Sequence, residues 1–285
     1  MKKKVLSILL VSVTAVSLLA GCANKKEDNS SESERTKLVV GFDAEYPPYG
    51  YMDENGEYTG FDLELAQAVC ELEGWELVKT PIDWNSKDME LNSGAIDCIW
   101  NGFTMTGRED KYTWSYAYVD NSQVITVSEK SGIKTFEDLS GKVVGVQAGS
   151  AALALLEEDM KDLSDTFGKL EQFGDYNEAF TELQAGAIDA IAIDIGVAKY
   201  QLNGREGYAI LEERLNSEEY AVGFKLGNEE LRDIINKDLE ILLENGTFDE
   251  LAEKYADYEL PDMVCLKAAI EAAKGEAETE AATEK

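Results

Sequence analysis

The phrase ELNSGAIDCI at residues 90–99 returns as ELQAGAIDAI at residues 182–191. A chain that carries one ten-residue phrase twice is most simply built from two equivalent modules, and the phrase marks the same place in each. Glu-Leu finishes a helix, Gly94 or Gly186 supplies the left-handed turn that ends it, and Ala-Ile-Asp-x-Ile enters a parallel strand buried on both faces. Asp97 and Asp189 fall at the strand entry, where a short carboxylate satisfies nearby backbone groups, and neither is assigned to a ligand. In open α/β sheets ligands sit beyond the carboxyl ends of strands. Those ends are Asn101, Gly102, Phe103 and Thr104 in the first module and Asp194, Ile195 and Gly196 in the second.

The flanking pattern extends each module. Residues 37–42 read as a buried strand and residues 51–59 as a hairpin around Asp53-Glu54-Asn55-Gly56. Phe61, Leu65, Val69 and Leu72 recur at helical spacing, with Asp62 and Glu64 in the first turn. Strands follow at 75–81 and 96–100, separated by a short helix that Ser86 caps. After residues 124–127 the order restarts: strand 142–147, a helix from Ser150, strand 170–173, helix 177–185, strand 188–194. A strand at 220–224, a helix carrying Leu231, Ile234, Ile235, Leu239 and Leu242, and a short helix at 247–255 build no third module and return to the first. The chain thus divides into lobe 1 at 37–124, lobe 2 at 125–220, the return at 221–261 and an acidic tail at 262–285. The tail is rich in Ala, Glu and Lys and reads as a solvated, partly helical extension.

At 285 residues the chain has length for about two domains. Residues 1–21 place Lys2, Lys3 and Lys4 before an apolar run too short to span a bilayer, which reads as an export signal. Leu19-Ala20-Gly21-Cys22 resembles the lipobox of bacterial lipoproteins, making Cys22 the lipidated first residue, 22–36 a polar tether, and the outer face of the bacterial cell membrane the site of anchoring. Acidic residues outnumber basic ones 57 to 26, a net charge of −31 that repels phosphate backbones and excludes nucleic acid as a partner. The absence of histidine excludes Ser-His-Asp triads, Cys-His pairs and histidine metal sites. Cys70, Cys98 and Cys265 have no CxxC spacing and read as free thiols, a Cys70 to Cys98 bridge being the alternative in an exported protein. No cofactor and no metal is implied.

Two lobes facing each other across a cleft suit a small ligand held by both. Arg108, close to Thr104 and Thr106, can fork onto a carboxylate, with surface pairing to Glu109 or Asp110 as its alternative. Asp194 ends the apolar run IAID, where a carboxylate calls for a cation, unless it caps the helix beginning near Gly196. Ser150 stands at a strand-to-helix turn whose free N–H groups favour a carboxylate, and it is also a plain N-cap. An anion holder opposite a cation holder is the minimal receptor for a zwitterion. Tyr46, Tyr49, Tyr51 and Trp84 lie in loops after strands, where rings line a pocket.

Residues 37–258 resemble the extracytoplasmic solute-binding proteins of family 3, which deliver polar amino acids to ABC importers. The likeness is carried by VGFDAEYPPYGYMDENGEYTGFDLELAQAV, MELNSGAIDCIWNGFTMTGRED, VVGVQAGSAA, AFTELQAGAIDAIAID and LENGTFDELAEKYA. It implies an α/β, two-lobed periplasmic-binding-protein-like fold of type II, with two crossing strands as a hinge, that closes on its ligand. By the same resemblance, Asp43, Tyr46 and Tyr49 belong to the first binding loop, Tyr46 stacks on the ligand, and Trp84 forms a wall. Asn101, Gly102 and Thr104 receive the ligand's amino group and carboxylate, Ser150 and Ala151 offer N–H groups to the carboxylate, and Asp194 takes the ammonium. Two positions depart from the family pattern: the Thr106-Gly107-Arg108 stretch is one residue shorter, and Ala151 replaces a common hydroxyl. The implied partners are a free amino acid, an ABC transporter permease and, through the N-terminal lipid, the membrane; the protein is a monomer and not an enzyme. A sensory receptor without transport and a cyclic-acid dehydratase on the same fold are the alternatives.

Overall fold

The computed structural model describes residues 35–283; the export signal, Cys22 and the tether as far as residue 34 lie outside them. Two five-stranded sheets organise the chain. In the first, Lys37–Phe42 runs parallel to Glu76–Pro81 on one side and to Cys98–Ile99 on the other. Gly223–Phe224 then pairs antiparallel with both Cys98–Ile99 and Thr113–Trp114. In the second sheet, Val143–Gln147 lies parallel between Lys169–Phe173 and Ala190–Asp194, and Gln123–Ser128 and Tyr208–Arg214 complete it in antiparallel sense. Tyr208–Arg214 had no counterpart in the sequence pattern, because its outer half, Glu212, Glu213 and Arg214, is exposed and charged, as suits an edge strand.

Between the sheets, Val119–Asn121 and Glu218–Tyr220 pair antiparallel, with Asn121 opposite Glu218. These are the two crossing strands. The stretch 220–224 is therefore split: Tyr220 closes the crossing pair, Gly223–Phe224 joins the first sheet, and between them the Ala221 N–H donates to the Phe103 carbonyl.

The repeated phrase does the same work twice. Helix Lys87–Ser93 stops at Gly94 with φ 78, and helix Tyr176–Ala185 stops at Gly186 with φ 74. Asp97 Oδ2 then accepts from the Val39 N–H at 2.8 Å while its own N–H donates to the Val39 carbonyl. Asp189 Oδ2 does the same with Val143, also at 2.8 Å. Each carboxylate pins the entry of one strand to its parallel neighbour, Lys37–Phe42 or Val143–Gln147, the backbone role expected of it. Ser86 does not cap its helix: it has helical angles, and the Asp83 side chain caps the preceding turn by accepting from the Asn85 N–H.

Helix Phe61–Glu73 buries Phe61, Leu63, Leu65, Ala66 and Val69 and ends at Gly74, leaving Leu72 exposed in its last turn. Helix Glu229–Glu244 packs on it through Leu231, Ile235, Leu239 and Leu242. The tail differs from a solvated extension. Helix Leu266–Thr283 begins with Leu266 and Ile270 buried in the main core, four residues apart and so on one face, and Lys274 pairs with Glu240 at 2.7 Å. Cys70, Cys98 and Cys265 are free thiols, the first two buried.

Candidate functional site

Residues that follow the strands of both sheets meet around one small cavity. Tyr46, Trp84, Gly102, Thr104 and Arg108 come from the first sheet's side, and Gln147, Ser150, Ala151 and Asp194 from the second's. The lobes are closed so far that the cavity measures only about 10 Å³, about the room one water needs. A ligand larger than that enters only when the lobes or the lining side chains part.

Asp194 is 3 % exposed and ends the central strand of the second sheet. Its Oδ1 accepts from Asn121 Nδ2 at 2.8 Å, Gln123 Nε2 at 2.6 Å and the Tyr220 hydroxyl at 2.6 Å. Burial first, and the charge of Glu218 second, push its carboxyl well above the usual carboxylate range. The side chain makes no capping bond to the helix that starts at Ile195. Arg108 reaches the cavity although its loop is short: Nη1 donates to the Thr104 carbonyl at 3.4 Å and the guanidinium lies 5.4 Å from the centre of the Phe103 ring. Among the described residues Arg108 forms no ion pair with Glu109 or Asp110. Ser150 caps helix Ala151–Glu157 by accepting from the Leu153 N–H at 3.1 Å.

The rings of Tyr46 and Trp84 stand nearly parallel, 11° apart in plane and 6.4 Å between centres. They form two facing walls. Lys87, buried one turn beyond Trp84, donates to the Gly149 carbonyl across the cleft at 3.0 Å and to the Trp84 carbonyl at 3.3 Å. Burial and the nearby Arg108 charge lower its ammonium to about 8.

Three candidates stand behind the lining instead of in it. The Asp43 carboxylate accepts from the Glu45 N–H and from Gln147 Nε2, the latter a 2.6 Å bond between lobes, and burial raises it to about 6. Asn101 Oδ1 is taken by the Asp43 N–H at 2.9 Å. Tyr49 is fully buried, edge-on to Tyr220 and in contact with Gly196 of the other lobe. Each is drawn inward because a partner on the opposite lobe or a buried backbone group holds it. Tyr51 packs against Tyr200, outside the lining. Gln147, Lys87 and Glu218 escaped the sequence reading. Gln147 ends a strand just before Ala148-Gly149-Ser150, a position that could have been flagged; Lys87 carried no signal. Glu218 lies two residues before the strand expected from Tyr220, and its pairing with Asn121 is what gives it a place.

A larger cavity of about 700 Å³ opens on the hinge side among Asp120, Asn121, Arg214, Glu218 and Glu219. It lies along the crossing strands, whereas the small cavity is lined from both lobes with aromatic walls and the charged residues Asp194 and Arg108, the features of a candidate ligand cleft.

Two α/β lobes joined by a crossing strand pair, with a charged and aromatic cleft between strand ends, define a hinged binding protein. The chain belongs to the bacterial extracellular solute-binding proteins, family 3, whose model matches residues 38–258. It is 31 % identical over 260 residues to the arginine-binding extracellular protein ArtP of Bacillus subtilis, covering 90 % of this chain and 98 % of that one. A solved ABC uptake transporter substrate-binding protein from Streptococcus pneumoniae with bound histidine matches at a TM-score of 0.75 and 35 % identity, over 77 % of this chain and 92 % of that one. An ancestral arginine-binding protein bound to arginine matches at a TM-score of 0.72 and 37 % identity, over 78 % and 99 %. The protein is the substrate-binding component of an amino-acid ABC uptake transporter, and not an enzyme.

Proposed function

We propose that the protein is a lipid-anchored receptor, tied by Cys22 to the outer face of the cell membrane, that captures a free amino acid with a flat cationic side chain and hands it to a membrane permease. Arginine is the first candidate. The observation that carries this reading is the Tyr46–Trp84 pair beside Asp194 and Arg108. Asp194 takes the α-ammonium, Arg108 and the Ser150–Ala151 turn take the α-carboxylate, and the side chain enters between the rings. A planar group needs about 7 Å between two ring faces, roughly 3.5 Å to each, so the nearly parallel rings part to admit it. Ring faces attract cations, and the Asp43 carboxylate behind Gln147 adds a negative charge nearby. Arginine, named for two of the relatives, is of this flat, cationic kind, and the histidine named for the third is flat. Membrane attachment rests on the N-terminus, since no helix of the described residues is long and apolar enough to cross a membrane.

The test is thermal unfolding of the exported protein, stripped of ligand and titrated with arginine, histidine, lysine, cystine and glutamine. A midpoint that rises with arginine concentration supports the reading, by about 2.7 kcal/mol of stability at a hundredfold excess over Kd. A rise with cystine or glutamine alone overturns the cationic side chain, and no rise with any amino acid overturns the zwitterion site. Cys22→Ser should release the protein into the medium; retention at the membrane would rule out the lipid anchor.

A further inference from the structure

Asn121 Nδ2 donates to Asp194 Oδ1 and to Glu218 Oε1, each at 2.8 Å, and Gln123 Nε2 donates to the same two oxygens at 2.6 Å and 2.8 Å. Two carboxylates, 3 % and 4 % exposed, therefore share the same two amide nitrogens. Thr104 Oγ1 adds a third donor to Glu218 at 2.9 Å and the Tyr220 hydroxyl a third to Asp194. Among the described residues neither carboxylate has an ion-pair partner. Tyr46, Tyr49, Tyr176 and Tyr220 surround Asp194, and burial pushes all four hydroxyls well above their usual range, so they stay neutral. Arg108 lines the same cleft but is bonded to the Thr104 carbonyl, and on the hinge side Arg214 donates to Ser122 Oγ. Burial and the like charge of Glu218 at the shared donors both act against the ionised form of Asp194.

We propose that Glu218 keeps Asp194 protonated until a ligand ammonium arrives, so that capture of an amino acid releases one proton from the site. This rests on Asp194 being the ammonium holder. Before capture the pair carries one proton and a net charge of minus one. The ammonium then brings its own positive charge, the Asp194 O–H bond breaks, the proton goes to water, and two ionised carboxylates face one cation with the same net charge. Burial and the Glu218 charge, which raise the Asp194 carboxyl, act in the direction this exchange needs. The structure also offers an exit. With the cleft shut, Glu218 and Asn121 still line the 700 Å³ cavity on the hinge side, beside Asp120, Glu219, Glu259, Asp262, Lys199 and Arg214. Glu218 is thus a positioning residue that acts through Asp194, and its place on the crossing pair opposite Asn121 couples the proton to the hinge.

The test is calorimetric titration of the exported protein with arginine, in pairs of buffers with different ionisation enthalpies, from about pH 5.5 to pH 8.5. About one proton released per arginine at the acid end, falling toward none at the alkaline end, is the result expected. Affinity should rise with pH over the same range, up to roughly tenfold per unit. In Glu218→Gln the release moves to lower pH and disappears near neutrality while arginine still binds; Glu218→Asp restores it. Arginine binding whose heat is independent of the buffer across the whole range overturns the proposal, as does a Glu218→Gln protein that releases as many protons as the native one. If Glu218→Gln fails to fold, the native protein in two buffers decides alone. A complete lack of arginine heat is a different failure and strikes the arginine reading itself.

Discussion

After Asp97 the first copy of the repeated phrase runs for two paired residues, Cys98–Ile99, before Asn101 and Gly102 turn aside. After Asp189 the second copy forms the strand Ala190–Asp194, five residues with Asp194 as the last. The entries are alike down to the 2.8 Å bond from a backbone N–H. The exits differ because different partners seize them. The Gly102 N–H is taken by Asp62 at 2.5 Å and Asn101 by the Asp43 N–H, which bends the first exit away from the ladder. The second exit meets the side chains of Asn121, Gln123 and Tyr220, which belong to or adjoin the crossing strands. A shared phrase therefore builds equivalent scaffolds, and the residues just beyond it decide which lobe places a charge in the cleft.

The comparison breaks most directly at the second exit. Asp194→Ala should cost roughly a hundredfold or more in arginine affinity, the loss typical of removing one side of a buried charge pair, measured by calorimetry. An affinity unchanged within threefold would mean that the second exit does not hold the ammonium. Two residues on, Gly196 sharpens the same point by geometry. A Cβ there would collide with the Tyr49 hydroxyl of the opposite lobe, and that hydroxyl is buried without a partner. Gly196→Ala should weaken binding about tenfold by resisting closure, and Tyr49→Phe added to it should recover most of the loss. No recovery in the double variant would locate the collision elsewhere.

The entries should behave alike and differently from the exits. Asp97→Ala and Asp189→Ala each leave a backbone N–H of the neighbouring strand, Val39 or Val143, without its acceptor, at a cost of about 1 kcal/mol of stability. Denaturant unfolding should show losses of similar size for the two, with arginine affinity within twofold of native. A tenfold loss of affinity in either would give the phrase a direct role in binding.

How far the sequence reaches follows the same division. Local backbone demands leave local marks: Gly94 and Gly186 end their helices, and Asp97 and Asp189 pin their strands, from patterns visible within ten residues. The lining of the cleft is legible where a residue stands at the end of a strand or in the turn that follows it, as Asp194 and Ser150 do. Contacts made by closure are not. Gln147 to Asp43, Lys87 to Gly149 and Tyr49 against Gly196 join residues far apart in sequence whose meeting depends on the angle between lobes. Glu218 is the sharpest case. Its neighbours 219 and 220 carry no pattern that distinguishes a crossing strand from a core strand, and only pairing with Asn121 gives it its place.

A second buried carboxylate allows the last and smallest test. Asp62, like Asp194, is held by neutral donors, the Gly102 N–H at 2.5 Å and the Tyr118 hydroxyl at 2.8 Å, but it sits behind the wall with no ligand to meet. Burial raises its folded carboxyl from 3.8 to about 7. Between those values the native state binds more protons than the unfolded chain, so the contribution of Asp62 to stability falls as pH rises through them. Asp43, raised to about 6, acts in the same sense. The ligand-free protein should accordingly melt a few degrees higher near pH 5 than near pH 8, and Asp62→Asn, which keeps an acceptor oxygen, should flatten that slope. Ligand affinity should run the opposite way, improving with pH, because the acid that serves the cleft must lose its proton to work while the acid that serves the wall is most comfortable keeping it. A melting temperature that rises with pH, or a slope untouched by Asp62→Asn, would show that the two buried acids do not divide the labour in this way.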